Sequence, residues 1–119
     1  MCKRLLILLF FAASLPGADF NGKWKGKAVD NSGWHPLYIF LRQDGKSLTG
    51  SGGPDGGTQD AIQNGKVEGN HLVFDIALGN RAPIHFDLTG DASGLKGTAQ
   101  TKRNGQIVTT EVTLYRSAD

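Results

Sequence analysis

Three groups of residues in this sequence have the types and spacing for chemistry. Trp34-His35-Pro36 sets an aromatic ring, an imidazole and a rigidifying proline in a row, a combination able to grip a ligand or move a proton. His71, Asp75, His85 and Asp87 supply two imidazoles and two carboxylates, which hold a metal only where their atoms converge to about 2.0–2.2 Å from one point. Phe20 to Lys27 reads FNGKWKGK, mixing glycine and lysine as a phosphate-cradling loop does.

Each group also has a plain structural reading. A Walker-type loop needs G-x-x-x-x-G-K-[ST] between a strand and a helix; here Gly22 and Gly26 are too close together, no hydroxyl follows, and no helical pattern lies behind. With period two, Phe20, Gly22, Trp24, Gly26 and Ala28 face one way, while Lys23, Lys25 and Lys27 form a solvated face that protects a strand from unwanted pairing. The two histidines and two aspartates fall on the outward face of one hairpin with Asp75 opposite His85, an arrangement for a cross-strand ion pair, so no metal is expected. Thr101, Thr110 and Arg116 are the clearly polar residues at inward positions, which leaves no pair of carboxylates for general acid–base work. No serine sits in a nucleophile elbow. The chain reads as a non-enzyme without a cofactor, an enzyme built on His35 being the weakest alternative.

The elements that must position these residues begin after a leader. Lys3 and Arg4, the apolar run Leu5 to Ala13 and the small residues Ser14 to Ala18 have the layout of a secretory signal peptide over residues 1–18, leaving one domain at 19–119. The run is too short for a membrane span of roughly 20 residues. Export to the periplasm or the medium is therefore expected. The single cysteine, Cys2, lies in the leader, so no disulfide supports the domain. Without Lys3 and Arg4 the basic and acidic residues are equal in number, and this balance is read as excluding nucleic acid and anionic membrane as partners.

Alternation with period two recurs along the rest of the chain, broken by Asp44-Gly45, Gly69-Asn70, Asp91 to Gly94 and Asn104-Gly105. That pattern describes successive hairpins. Strands are expected near 21–29, 36–43, 46–52, 59–68, 71–78, 83–89, 95–103 and 106–116, with a bulge near Asn64-Gly65. Apolar residues meet across the turns: Leu95 with Leu114 and Gly97 with Val112; Leu41 with Leu48 and Ile39 with Gly50; Leu72, Phe74 and Ile76 with Leu88, Phe86 and Ile84. Eight short antiparallel strands, each with one apolar face and no long crossover, predict an all-β, eight-stranded up-and-down (meander) barrel. Its mouth would gather residues 30–35, the long loop 51–60, the turn at 79–82 and the turn at 104–105. Trp34, His35, Arg81 and Arg103 are candidate ligand contacts at that rim, with Leu37, Ile39, Phe74 and Phe86 lining the lumen. Trp34 has a second reading, as the cap of the open end of the core with His35 left exposed.

F-x-G-x-W at Phe20, Gly22 and Trp24, together with Arg116 in TLYRS at the end of the last strand, resembles the signature of the calycin barrels: lipocalins, fatty-acid-binding proteins and avidins. The resemblance implies that Trp24 closes the base of the barrel and that Arg116 packs across it, as cation–π attraction favours. Length and the lack of helices resemble avidin most. Its biotin site does not carry over, because Gly26 and Asp30 replace the ligand asparagine and serine and no tryptophan follows Trp34. LRQDGKSLTG and QNGKVEGNHLVF are similar to stretches of small uncharacterised secreted bacterial proteins. The expected function is binding of a small, largely apolar molecule at the mouth. The alternative is a protein-binding module, such as an envelope inhibitor of a secreted hydrolase. Tyr38, Phe40 and Tyr115 fall on the outward parity as a possible association patch, and the oligomeric state stays open.

Overall fold

Alternating side chains need a second apolar surface to bury against, and here the sheet supplies it by closing on itself. The computed structural model describes residues 19–78 and 81–117, without the side chains of Leu78 and Arg81; the expected leader at 1–18 lies outside the described residues. Eight strands, β1 Gly22–Asp30, β2 Gly33–Asp44, β3 Ser47–Gly53, β4 Asp60–Glu68, β5 His71–Leu78, β6 Arg81–Gly90, β7 Gly94–Arg103 and β8 Gln106–Arg116, follow one another around a closed barrel. Every neighbouring pair is antiparallel, and β8 returns to pair with β1 from Trp24↔Arg116 to Val29↔Glu111. Most apolar residues point in and most charged residues point out, the reverse of the pattern of a barrel that crosses a bilayer. Among the described residues no helix is long and apolar enough to cross a membrane.

The inward positions fill one half of the tube. Phe20, Trp24, Ile39, Leu72, Phe74, Leu88, Leu95, Val112 and Leu114 are fully buried and form a single core with Leu41, Leu48 and Val67. Two hairpins have the expected register: Leu95↔Leu114 and Gly97↔Val112 in one, and Leu72↔Leu88, Phe74↔Phe86 and Ile76↔Ile84 in the other. The bulge near Asn64 is also present, with the pairing shifting between Gln63 and Lys66 and Asn64 at φ 55.

Two expectations are corrected. In the β2–β3 hairpin Leu41 faces Gly50 and Ile39 faces Gly52, while Leu48 faces Gln43. The turn is centred on Gly45-Lys46, one residue beyond Asp44-Gly45. Gly45 carries the positive φ of 63° and Lys46 does not, so glycine takes the first central position of the turn. The resulting shift of two residues keeps the same side chains inward. Secondly, β2 begins at Gly33 rather than at 36, because Pro36 does not interrupt it. Pro36 lies beyond Tyr38↔Gly53, the end of the β2–β3 ladder, so its missing N–H costs that ladder nothing.

Candidate functional site

The two ends of the barrel are built differently. At the base, the segment 19–21 runs under the strands and Phe20 fills the opening. Arg116 sits over Trp24, its guanidinium carbon 4.7 Å from the ring centroid. The same guanidinium donates to the carbonyls of Asp19 and Asn21 and, at 2.6 Å, to that of Ala92. Trp24 Nε1 donates to the Phe20 carbonyl at 3.0 Å, and Gln43 accepts from Phe20 N at 3.1 Å. Gly22 makes this arrangement possible. Its φ is 124°, and a Cβ there would stand 3.0 Å from the Arg116 guanidinium, so glycine satisfies both backbone and space. The base is thus plugged and hydrogen-bonded shut.

The mouth is open. A cavity of about 330 Å³ occupies the upper lumen. Its floor is Phe86, which stacks on the buried Phe74 with centroids 4.9 Å apart. Leu37, Ile76, Ile84, Ala99 and Val108 make its wall, and Gly52 widens it, since a Cβ at Gly52 would stand 2.5 and 2.7 Å from the Cδ1 atoms of Ile39 and Ile76. Thr101 and Thr110 add hydroxyls to the wall, and Asp30, His35, Asp60 and Arg103 stand at the rim.

The strand parity divides the Trp34-His35-Pro36 group. His35 shares the inward side with Leu37 and lines the cavity, whereas Trp34 is on the outer face, 65% exposed and paired with Val29. The structure brings His35, Leu37, Phe86 and Arg103 together around the cavity, with Phe74 and Ile39 buried beneath; Trp34 is outside it. Arg81 opens β6, and its side chain lies outside the described residues.

His35 is held by groups that spacing alone does not reveal. Ser32 N and Oγ donate to Asp30 Oδ1 at 2.8 and 2.6 Å, and His35 Nε2 lies 3.4 Å from the same oxygen and 3.3 Å from Ser32 Oγ. The Ser32 hydrogen bonds, helped by His35, hold the Asp30 carboxyl below its ordinary value, partial burial opposing them. The readable signal was Asp30-Asn31-Ser32-Gly33, a sequence suited to an aspartate turn. The run Pro54 to Gln59 is likewise fixed: Asp55 Oδ1 accepts from Gly57 N at 2.8 Å and Thr58 N at 2.7 Å, and Gln59 ties the loop to Ser51 and Tyr38.

The outward hairpin histidines make two separate hydrogen-bonded pairs, His71 with Asp87 and His85 with Asp75, each at 2.6 Å. Burial pushes the Asp75 carboxyl up, but hydrogen bonds from His85 and Asn64 outweigh it and leave the group below its usual value. Among the described residues no three histidine, cysteine or acidic side chains gather as a metal site. No family model, curated protein or solved structure matches this chain.

Proposed function

We propose that this protein is an exported, calycin-like barrel that binds a small, largely apolar molecule in the cavity at its mouth, without catalysis. The observation that carries the reading is the division of the lumen into a packed base and a carbon-walled space of about 330 Å³. That volume is near the lower end of ligand pockets, which run from about 300 to 1,000 Å³. Interiors normally pack with few voids larger than a water molecule. Ala28, Gly52 and Ala99 face this one with little side-chain volume. The polar rim of Asp30, His35, Asp60 and Arg103 fits a ligand with one hydrogen-bonding end.

Native mass spectrometry of protein recovered from its own source tests the reading. A bound apolar adduct, lost when Thr110→Trp fills the cavity, is the expected result; a bare protein under every mild condition refutes it. The prearranged loop Pro54 to Gln59 supports a second reading as a module that inserts this loop into a partner protein. Retention of one partner by wild type and its loss on Asp55→Ala would favour that reading.

A further inference from the structure

Equal numbers of acidic and basic residues argue against an anionic partner only if the charges are mixed over the surface, and the barrel separates them. Lys23, Lys25 and Lys27 of β1 point outward beside Lys96 and Lys102 of β7, with Arg42 further round on β2. The register brings them together: Lys27 pairs with Thr113, which pairs with Lys96, and Lys25 stands between Tyr115 and Tyr38. Glu111 is the acidic residue on the wall of this arc, with Asp19, Asp44 and Asp91 at its base end. The opposite face, β5 and β6, carries Asp75 and Asp87, each engaged by a histidine.

The basic face also exposes apolar side chains. Trp34, Ile107 and Tyr115 are 65, 64 and 63% exposed, and Val29 stands directly across from Trp34. Large aromatic and aliphatic groups mixed with lysines on one surface are costly in water unless something covers them. Phe40 and Tyr38 are already half-covered, with the ammonium groups of Lys23 and Lys25 lying 5.7 and 5.9 Å from their ring centroids.

We propose that this face docks on the surface of an anionic lipid bilayer. Tryptophan and tyrosine favour the boundary between headgroups and acyl chains. Exposed aliphatic groups gain by entering that boundary, and lysines gain from the negative surface potential. A single-stranded nucleic acid is the poorer fit. Such strands lie in grooves and stack bases on free aromatic faces, whereas this surface is the convex outside of a barrel and two of its rings carry lysines. Trp34 and Ile107 flank turns at the mouth, so docking on this wall sets one side of the rim beside the lipid. The proposal concerns the outer surface and stands whatever the cavity holds.

The test is cosedimentation at low ionic strength with phosphatidylcholine vesicles containing phosphatidylglycerol, against vesicles of phosphatidylcholine alone. Wild type is expected to bind the anionic vesicles, with Trp34 emission moving to the blue. The triple variant Lys23→Glu, Lys25→Glu, Lys27→Glu should lose at least about 100-fold in affinity, since each lysine near an anionic surface contributes about fivefold and each new carboxylate repels the surface. Lys66→Glu on β4 should bind as wild type does. All variants share one N terminus, so any affinity of the apolar run at residues 5–13 cancels in the comparison. Should the triple variant fail to fold, Trp34→Ser with Ile107→Ser, both at exposed positions, must weaken binding to the anionic vesicles. The proposal is overturned by a wild type that ignores anionic vesicles, by charge-reversed or Trp34/Ile107 variants that bind undiminished, or by binding of single-stranded DNA or heparin without binding of vesicles.

Discussion

Arg116 concentrates more of the architecture than any other single side chain. It covers the Trp24 ring and satisfies three backbone carbonyls from two separate segments, work that suits a planar fork of donors and not an ammonium. Arg116→Ala should cost about 2–4 kcal/mol, the sum of a cation–π contact and charge-assisted hydrogen bonds; Arg116→Lys should recover only a minor part. Urea unfolding of both variants checks this, and a loss within the error of wild type for Arg116→Ala would contradict it. Asp19 ties the same plug to pH. Hydrogen bonds from Asn21 backbone and side chain, against slight desolvation and with help from Arg116, hold its carboxyl below 3.8. A folded value below the unfolded one adds stability that is complete above 3.8 and is lost as pH falls through the lower folded value. Asp30 and Asp91 shift the same way, so the urea midpoint should stay level from neutral pH to about pH 5 and drop below 4. Asp19→Asn should flatten part of that drop, and an unchanged acid limb would show that the carboxylate contributes nothing.

At the scale of the strands, glycines set how closely neighbours approach, and two of them make a contrast. A Cβ at Gly26 would stand 1.8 Å from the Thr113 carbonyl oxygen, backbone that cannot move aside, whereas at Gly52 it meets only the ends of Ile39 and Ile76. Gly26→Ala should therefore destabilise by about 1–3 kcal/mol through overpacking, and Gly52→Ala by much less while narrowing the cavity. Comparable melting temperatures for the two variants would contradict this. Gly26 was legible in the sequence as an inward position, but its clash depends on β8 closing onto β1, a pairing between the ends of the domain. Local pairings read well where large apolar residues face each other, as Phe74 and Phe86 do. The β2–β3 register is not legible in the same way, because a shift of two leaves the same faces inward and only the turn, with Gly45 first, distinguishes the two. With a strand starting at 36, Trp34 falls in the rim loop; because the strand begins at Gly33, parity puts Trp34 outside. The carboxylate that holds His35 depends on turn geometry that spacing does not encode.

The molecule as a whole is a tube packed at one end and hollow at the other, with charge sorted around its circumference. Periodicity gives the strands and leaves a sandwich or a barrel; the short turns without a crossover and the inward glycines decide for the meander barrel. The hollow is not legible this way, because identical inward residues fill or leave space according to how sharply the sheet coils. Filling it should raise stability as ligand binding is lost: Thr110→Trp places a ring in the cavity and should melt no lower than wild type. The central claim, that the upper lumen takes an apolar guest, is tested most directly by titrating the folded protein with the apolar fluorophore N-phenyl-1-naphthylamine, alongside Thr110→Trp. One saturable site in wild type and none in the filled variant is the predicted result. Absence of saturable binding to wild type, or equal binding to both proteins, would contradict it.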